Sequence, residues 1–256
     1  MKIARFEYQD QLAYGILDED KQEFVRLMGD PLYAGFETLD ERIKVEDARL
    51  LAPVIPRSKV VAFGRNYLEH AREMGNEVPE EPLMFLKPNT SIIGPGHPIR
   101  LPKQSERVEH EVELAVVIGS VARNVPEADA HQVIFGYTVA NDVTARDLQK
   151  QDGQWSRAKG FDSFCPLGPY IETEFDPSSG GIGAKVNGEV RQVGDLNQLE
   201  RTIGALIAYA SSVFTLLPGD VLLTGTPAGV GPLEDGDEIT CAIEGIGNLT
   251  NPVVAD

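Results

Sequence analysis

Hydrophobic and polar residues alternate along much of the chain at a spacing of two, which is the pattern of β-strands. Residues 1–55 contain three short runs of this kind, KIARFEY, LAYGILD and EFVRLMG, separated by polar turns. The segment LLAPVIPRSK, with two prolines, then interrupts the pattern. The sequence therefore predicts a small N-terminal β domain over residues 1–55 and a larger domain over residues 56–256.

The larger region contains further strand patterns and few helices. KVVAFG is a short apolar strand, and in the helix predicted after it Leu68, Ala71 and Met74 share one face before Gly75. EHEVELAVVIG and FGYTVANDV are typical of strands, KVNGEV of a hairpin, and a long amphipathic helix is predicted from about Leu196 to Leu217. The strands do not alternate regularly with helices, so the fold is predicted to be mainly β with few helices, in the α+β class.

Composition and charge narrow the choice of partners. The 256-residue chain has 40 acidic and 23 basic side chains, a net charge of −17 that repels nucleic acid and anionic membranes. No apolar run approaches the roughly 20 residues that span a bilayer, and the N-terminus does not resemble a secretory signal, which predicts a cytoplasmic protein. Cys165 and Cys241 are expected to be buried thiols. The glycine clusters GPG and SSGGIG open no helix after a strand, which excludes a nucleotide-binding loop.

Three carboxylates are candidates for a metal site. Glu111 and Glu113 are two residues apart in a predicted strand, so their side chains leave one face, where a cation or proton would relieve their repulsion. A solvated charged face is the alternative, and Glu109 on the same side fits it. Asp142 follows the strand VANDV, at a strand end where functional groups are often displayed. These oxygen donors suit Mg²⁺ or Mn²⁺, and Ca²⁺ less selectively.

The segment TARDLQ is predicted to form a short helix directly after this strand end. Thr144 is expected to be its N-cap, with Asp147 as the partner in a capping box. Arg146 and Gln149 in this helix are candidates for substrate binding, as is Lys87 after the strand MFLK.

His70 and Glu73 are three residues apart on the helix predicted after KVVAFG, so they can meet on one face. A carboxylate beside an imidazole fixes its tautomer and raises its basicity, which could make the pair a general base for water. A surface pair without function is the alternative, because such pairs are common on acidic proteins.

Lys159 lies in a predicted loop between Trp155 and Phe161, which could desolvate its ammonium group, although most single lysines are solvated. Three carboxylates on a divalent ion leave one negative charge, so an anionic substrate would need further cations. Arg146, Lys159 and Lys87 could supply them, which favours an anionic organic acid as substrate.

Six segments from about residue 57 to the C-terminus resemble the fumarylacetoacetate hydrolase superfamily: FGRNYLEHAREMG, PLMFLKP, VEHEVELAVVIG, GYTVANDVTARDLQ, AKGFDSFCPLGPYI and LLTGTPAGVG. The resemblance implies a largely β catalytic domain, to which the N-terminal region is a small β appendage, and a homodimer. It also implies that a divalent metal is held by Glu111, Glu113 and Asp142, that His70 and Glu73 activate water with help from Lys159, and that Arg146, Gln149 and Thr226 lie near the substrate.

Reactions of this superfamily develop carbanion character next to a carbonyl, which a divalent cation chelated by a 2-oxo carboxylate would stabilise as an enolate. The expected activity is Mg²⁺- or Mn²⁺-dependent C–C bond hydrolysis or decarboxylation of a small 2-oxo acid, such as an acylpyruvate or oxaloacetate. Tautomerisation by a 2-hydroxyhepta-2,4-diene-1,7-dioate isomerase is the alternative. A metal-stabilised binding domain is the alternative outside catalysis. An iron oxygenase is excluded because no two histidines have a suitable spacing with an acid.

The chain differs from the founding member of the superfamily, which has a much larger N-terminal domain and a fourth acidic ligand further upstream. The N-terminal region here has only some 55 residues and no matching acid. The resemblance therefore favours the short bacterial members described as acylpyruvate hydrolases, oxaloacetate decarboxylases and 2-hydroxyhepta-2,4-diene-1,7-dioate isomerases.

Overall fold

The computed structural model describes residues 1–256 and consists mainly of β-strands, so the predicted fold class is confirmed. The strands are β1 (Lys2–Tyr8), β2 (Gln11–Asp18), β3 (Glu23–Leu27), β4 (Thr38–Lys44), β5 (Arg49–Leu50), β6 (Val60–Gly64), β7 (Leu83–Lys87), β8 (Ile92–Ile93), β9 (Ile99–Leu101), β10 (Val108–His110), β11 (Val112–Ile118), β12 (Ile134–Asn141), β13 (Thr144–Ala145), β14 (Cys165–Glu172), β15 (Gly181–Val186), β16 (Glu189–Asp195), β17 (Val221–Leu223), β18 (Gly231–Pro232), β19 (Glu238–Ile243) and β20 (Gly247–Ala255). The α-helices are α1 (Pro31–Ala34), α2 (Leu68–Glu73), α3 (Arg146–Asp152), α4 (Ser156–Gly160) and α5 (Ile203–Val213).

The strands form three sheets. The largest has the order β4-β3-β2-β1-β14-β12-β11-β17-β6-β7, with β5 paired to β1 and β8 to β14. A second sheet has the order β16-β15-β19-β20-β9, and a third, small sheet joins β13, β10 and β18. Most neighbouring strands are antiparallel, but β17 and β6 run parallel. This mixture of antiparallel pairs and few helices explains why the sequence lacks a regular βαβ pattern.

Strand β11 lies at the centre of the large sheet and is buried on both faces. Leu114 and Val116 belong to the main apolar core, which the large sheet shares with the five-stranded sheet and α5. Ala115 and Val117 point to the opposite face, where they pack with residues of β6, β14 and β17. Alternating side chains therefore anchor β11 in two apolar clusters, and the acidic residues at its start are held on a fixed base.

The N-terminal strands are continuous with the large sheet. Lys2 and Ile3 of β1 pair with residues of β14, and the Ile3 side chain packs in the apolar cluster on that face of the sheet. Residues 1–55 also contain a small cluster of their own, in which the Phe6 and Phe24 rings stack at 4.7 Å between centroids. Residues 1–55 therefore contribute to an apolar cluster of the large sheet and also form an apolar cluster of their own.

Because the sheet is shared, we expect Ile3→Ala and Phe24→Ala each to lower the free energy of unfolding by about 2–5 kcal/mol. Each should shift a single urea transition, followed by both far-UV circular dichroism and Trp155 fluorescence. Leu12→Ala on β2 is the control, because Leu12 is 53% exposed and should change stability little. A separate early transition in Phe24→Ala alone would show that residues 1–55 unfold independently.

The helix predicted from about Leu196 to Leu217 is shorter at both ends in the structure, so the predicted bounds are wrong. Residues 196–198 form a separate 3₁₀ turn that Asp195 closes with a capping box. The α-helix begins only after Thr202, whose hydroxyl accepts a hydrogen bond from a backbone N–H in the first turn, and it ends before Phe214, which is extended. Two local caps therefore divide one apolar pattern. No helix in the structure is long and apolar enough to cross a membrane.

Other local predictions are confirmed. KVNGEV is the hairpin between β15 and β16, and both of its turn residues, Asn187 and Gly188, have positive φ. KVVAFG and RNYLEHAREMG form β6 and α2, and the chain turns at Gly75 with φ of 68°.

Candidate active site

The structure brings the three predicted carboxylates together. Glu113 lies in β11, Glu111 directly precedes β11, and Asp142 directly follows the antiparallel partner β12, with Val112 opposite Asn141 in the register. One oxygen of each carboxylate lies within 4.8 Å of the others, and all three residues are buried. The pairing of two neighbouring strands therefore creates the cluster that the sequence pattern predicted.

Glu111 itself interrupts the strand that the sequence predicted to be continuous. Its N–H donates to the Asn141 side chain at 2.9 Å instead of to a neighbouring strand. Its carbonyl accepts from the N–H of Asp142 at 2.8 Å. This break between β10 and β11 is stabilised because both backbone groups keep a partner, and it links the backbones of two acidic residues.

Two lysines contact the cluster. The Lys159 ammonium donates to Glu111 Oε2 at 2.7 Å and to Asp142 Oδ2 at 2.6 Å. Lys87 donates to the other oxygen of Asp142 at 2.5 Å. Lys159 is only 2% exposed and lies in α4, so its prediction as a loop residue is wrong. Lys87 is buried behind Asp142 and does not line the cavity, which makes it a partner of this carboxylate.

Arg146 on α3 links three polar side chains. It donates to Glu109 at 2.7 Å, to Glu111 at 2.5 Å and to Gln149 at 2.7 Å. Glu109 is 2% exposed, so it does not belong to a solvated charged face. The Arg146 guanidinium therefore contacts one carboxylate oxygen of Glu111, and Lys159 contacts the other.

Glu113 is the one member of the cluster without a cationic partner. Its Oε2 accepts a 2.7 Å hydrogen bond from the N–H of Gly225, and no ion pair reaches it. Burial, with the nearby charges of Asp142 and Glu111, raises the pKa of Glu113 well above its ordinary value. Burial also opposes ionisation of Glu111, but Lys159 and Arg146 outweigh it and lower the pKa of Glu111.

The charges around the cluster leave room for a further cation. Its buried charged groups are four carboxylates and three cations: Glu109, Glu111, Glu113, Asp142, Lys87, Arg146 and Lys159. With every group ionised, this buried set has one excess negative charge; the more exposed Arg107 also pairs with Glu109 at 2.6 Å, and Glu113 is the carboxylate left without a cationic partner. Three convergent carboxylates with an uncompensated charge fit a divalent ion of the Mg²⁺, Mn²⁺ or Ca²⁺ type.

His70 and Glu73 both lie on α2, but they differ in exposure. His70 is 7% exposed and faces the cavity, whereas the Glu73 side chain is 36% exposed and accepts from the N–H of Gly229. His70 Nδ1 and Glu73 Oε2 are 3.5 Å apart, and Nδ1 has no hydrogen-bond partner. Burial lowers the pKa of His70 despite the attraction of Glu111, so the imidazole is neutral at pH 7.

A cavity of about 270 Å³ lies over the cluster. Besides the three carboxylates, its walls contain five residues that the sequence singled out: His70, Arg146, Gln149, Lys159 and Thr226. Glu73 and Lys87 stand outside it, each in contact with other groups of the site. The predicted candidates therefore form one continuous region of the molecule.

Cavity residues that were not predicted as site residues include Arg65, Asn76, Lys150 and Trp155, of which Trp155 was singled out only as a neighbour of Lys159. Arg65 and Asn76 lie in the loops that flank α2, so their nearness to His70 in sequence was the available signal. Trp155 lies against Gly64, where an added Cβ would come within 2.8 Å of the indole ring. No sequence signal links this tryptophan to β6, because the contact depends on how α4 crosses the sheet.

The start of α3 also differs from the prediction. The helix begins after Ala145 without a side-chain cap. Thr144 donates from its hydroxyl to the carbonyl of Asp142 at 2.8 Å, and Asp147 accepts from the Ser105 hydroxyl at 2.6 Å. Thr144 is recruited to the loop that carries Asp142, which explains why the predicted capping box does not form.

Gln192 on β16 connects the five-stranded sheet to the cavity wall. Its Oε1 accepts from the N–H of Val112 at 3.0 Å and contacts His110 Nδ1 at 2.9 Å. Its Nε2 donates to Thr226 Oγ1 and to the carbonyl of Pro227, both at 2.7 Å. One fully buried amide thus holds both the start of β11 and the predicted substrate contact Thr226.

Comparison with known proteins identifies the family. Residues 59–254 match the family model described as "Fumarylacetoacetate (FAA) hydrolase C-terminal". The chain belongs to the fumarylacetoacetate hydrolase family. Residues 1–53 match a second model, described as "Rv2993c-like, N-terminal". The family predicted from the sequence motifs is confirmed.

Relatives in this family cover nearly the whole chain. "Protein Rv2993c" of Mycobacterium tuberculosis is 47% identical, with 99% of this chain and 98% of the relative covered. The human protein named "Oxaloacetate tautomerase FAHD2A, mitochondrial" is 46% identical, with 81% of this chain and 70% of the relative covered. A solved structure named 5-carboxymethyl-2-hydroxymuconate delta-isomerase, from Mycobacterium smegmatis, is 48% identical, with both chains fully covered and a TM-score of 0.93. These names support an enzyme of the fumarylacetoacetate hydrolase type.

Proposed function

We propose that this protein is a divalent-metal-dependent enzyme that catalyses keto–enol tautomerisation of a small 2-oxo acid such as oxaloacetate. The observation that carries the proposal is the buried set Glu111, Glu113 and Asp142 at a cavity that also contains His70. The relatives support the reaction class, because "tautomerase" and "delta-isomerase" both name reactions that move a proton and keep the carbon skeleton intact.

The donor set and the charge of the cluster support a metal. Glu111, Glu113 and Asp142 would hold Mg²⁺ or Mn²⁺, with Ca²⁺ as a substitute, because carboxylate oxygens are the ligands these hard cations prefer. When bound, the ion supplies positive charge that stabilises the oxygen of the developing enolate. Lys159 and Arg146 keep Glu111 ionised and oriented, so the ligand set is in place before substrate arrives.

Tautomerisation requires a group that removes a proton from the carbon next to the carbonyl and returns it elsewhere. His70 suits this role because its imidazole is neutral and lines the cavity. Glu73 lies 3.5 Å away and is itself held by Gly229, so it would position the ring and stabilise the imidazolium that forms. Lys159 donates to two carboxylates and stays protonated, which makes it a positioning group.

Hydrolysis of a C–C bond, or decarboxylation of the same acids, is the second candidate. The His70–Glu73 pair favours hydrolysis, because an imidazole beside a carboxylate could equally activate a water molecule. Tautomerisation ranks first because it needs only the proton transfer that His70 can provide.

The deciding experiment follows the fate of oxaloacetate and acetylpyruvate with Mg²⁺ or Mn²⁺. We expect the enol absorbance of oxaloacetate to relax faster with enzyme, while mass spectrometry finds the four-carbon skeleton intact. His70→Ala should slow this relaxation by about 10²–10⁴-fold. His131→Ala is the matched control, because His131 is exposed and lies outside the cavity.

Other products would assign the other functions. Release of pyruvate and CO₂ from oxaloacetate would assign decarboxylation, and release of acetate and pyruvate from acetylpyruvate would assign hydrolysis. A protein that binds Mn²⁺ but converts neither acid would be a metal-stabilised binding domain.

A further inference from the structure

The Arg65 side chain lines the cavity, and its positive charge has no partner within the chain. It directly follows β6, is half-buried and lines the cavity wall. Arg146 and Lys159 also line the cavity, but each of them is ion-paired with buried carboxylates of Glu109, Glu111 or Asp142. The guanidinium of Arg65 makes no ion pair and no hydrogen bond within the chain, so its planar fork of donors is free for a ligand.

The backbone of Arg65 adopts an uncommon conformation. Its φ is +58°, in the left-handed region that residues other than glycine, asparagine and aspartate rarely adopt. Strained residues of this kind persist where the surroundings over-determine them, and they are concentrated at binding sites. An arginine here carries a conformational penalty that glycine would avoid.

The neighbouring residue, Asn66, holds the turn in place. Its side-chain amide donates to the carbonyl of Thr224 at 2.8 Å and to that of Arg201 at 3.3 Å. Its Oδ1 accepts from the N–H of Arg201 at 3.0 Å, and its carbonyl accepts from the N–H of Glu200 at 2.9 Å. Asn66 is 2% exposed, so this network fixes the backbone on the C-terminal side of Arg65.

The same turn packs against the carboxylate cluster. An added Cβ at Gly225 would come 2.8 Å from the Cβ of Asn66, so the two backbones are in close contact. The N–H of Gly225 donates to Glu113 at 2.7 Å. The backbone of Arg65 is therefore held close to the turn that contacts Glu113, and its side chain lines the same cavity without forming an ion pair with the three carboxylates.

The charge of the site defines what Arg65 could bind. With a divalent ion added, the four buried carboxylates and three buried cations around the cluster carry one net positive charge, which suits the carboxylate beside the carbonyl of a 2-oxo acid. A second carboxylate at the far end of the substrate would need a cation of its own. We propose that Arg65 binds this distal carboxylate and makes the protein selective for dicarboxylic 2-oxo acids, an inference that rests on the proposed function.

Lys150 is the other cationic cavity residue that forms no ion pair, but it is exposed and therefore solvated. A guanidinium matches a carboxylate with two parallel hydrogen bonds, whereas an ammonium acts as a point charge on a flexible stem. Selectivity should therefore depend on Arg65 and not on the summed positive charge at the cavity mouth.

The test compares oxaloacetate with 2-oxobutyrate, in which a methyl group replaces the distal carboxylate. The readout is deuterium exchange at C3 in D₂O with Mg²⁺, followed by NMR, for the parent, Arg65→Met, Arg65→Lys and Lys150→Met. We expect Arg65→Met to reduce the preference for oxaloacetate, as the ratio of kcat/KM values, by about 10- to 100-fold, mainly through KM. Arg65→Lys should recover part of the preference, and Lys150→Met should retain it within about threefold.

Calorimetric titration of the same two acids with Mg²⁺ measures the preference without turnover. If the parent binds oxaloacetate more tightly than 2-oxobutyrate but exchanges neither, the proposed reaction fails and the role of Arg65 stands. If Arg65→Met weakens both acids equally, or neither, the role of Arg65 is overturned even when the parent is an active tautomerase. A melting temperature close to that of the parent shows that the variant keeps its fold.

Discussion

Glu113→Gln should abolish divalent-metal binding and lower turnover by at least about 10³-fold, while leaving the metal-free fold as stable as the parent or more stable. In the metal-free protein, burial and the charges of Asp142 and Glu111 all oppose ionisation of this carboxyl and raise the pKa of Glu113 well above its ordinary value. Glutamine copies the neutral acid in size and can still accept the hydrogen bond from Gly225. The substitution therefore removes a metal ligand without breaking an ion pair.

Glu111→Gln is the contrasting variant. Glu111 accepts hydrogen bonds from Lys159 and Arg146, so neutralising it leaves two buried cations short of a partner. We expect this variant to lose metal binding and also to lose about 3–5 kcal/mol of unfolding free energy. Urea unfolding in a chelator and calorimetric titration with Mn²⁺ separate the two effects. If Glu113→Gln binds Mn²⁺ as tightly as the parent does, Glu113 is not a metal ligand.

Lys159→Met should also produce a large loss of stability. The variant leaves Glu111 and Asp142 buried without the ammonium group that joins them, and breaking such a pair typically costs about 3–5 kcal/mol. Turnover should fall by more than about 10²-fold because both carboxylates lose their orientation. Added Mn²⁺ should reverse part of the decrease in melting temperature, since its positive charge between the carboxylates replaces the charge of the lysine.

Lys59→Met is the matched control for this substitution. Lys59 forms an ion pair at 2.8 Å with Asp220, whose side chain is fully buried, but it lies away from the cavity. It should lower the unfolding free energy and leave Mn²⁺ binding and turnover unchanged. If Lys159→Met is as stable as the parent in the presence of a chelator, the ion pairs of Lys159 do not stabilise the fold.

The cluster of three carboxylates could be predicted because it depends on local spacing. Glu111 and Glu113 are two residues apart and Asp142 ends the next strand, and the antiparallel pairing of β11 with β12 is enough to bring them together. The cationic partners could not be assigned in the same way. Lys87 pairs with a residue 55 positions away and Lys159 with one 48 positions away, so these contacts depend on where the tertiary fold places β7 and α4 relative to β11 and β12.

Apolar periodicity also failed where polar side chains decide the outcome. The pattern from Leu196 to Leu217 is continuous, but the caps at Asp195 and Thr202 divide it. Thr144 has the sequence context of an N-cap, yet its hydroxyl bonds to Asp142. The left-handed conformation of Arg65 has no local signal at all, because it is imposed by the contacts of Asn66 with distant loops.

The amide of Gln192 has a mechanical consequence for the two large layers of the molecule. Its four polar contacts reach from β16 to His110 of β10, to the start of β11 and to the loop after β17, and all four contacted groups are buried. Sliding one sheet over the other by a single residue would leave these buried polar groups without hydrogen-bond partners. The cost would be about 1–3 kcal/mol for each group. The contacts of Gln192 therefore oppose sliding of the five-stranded sheet past the start of β11.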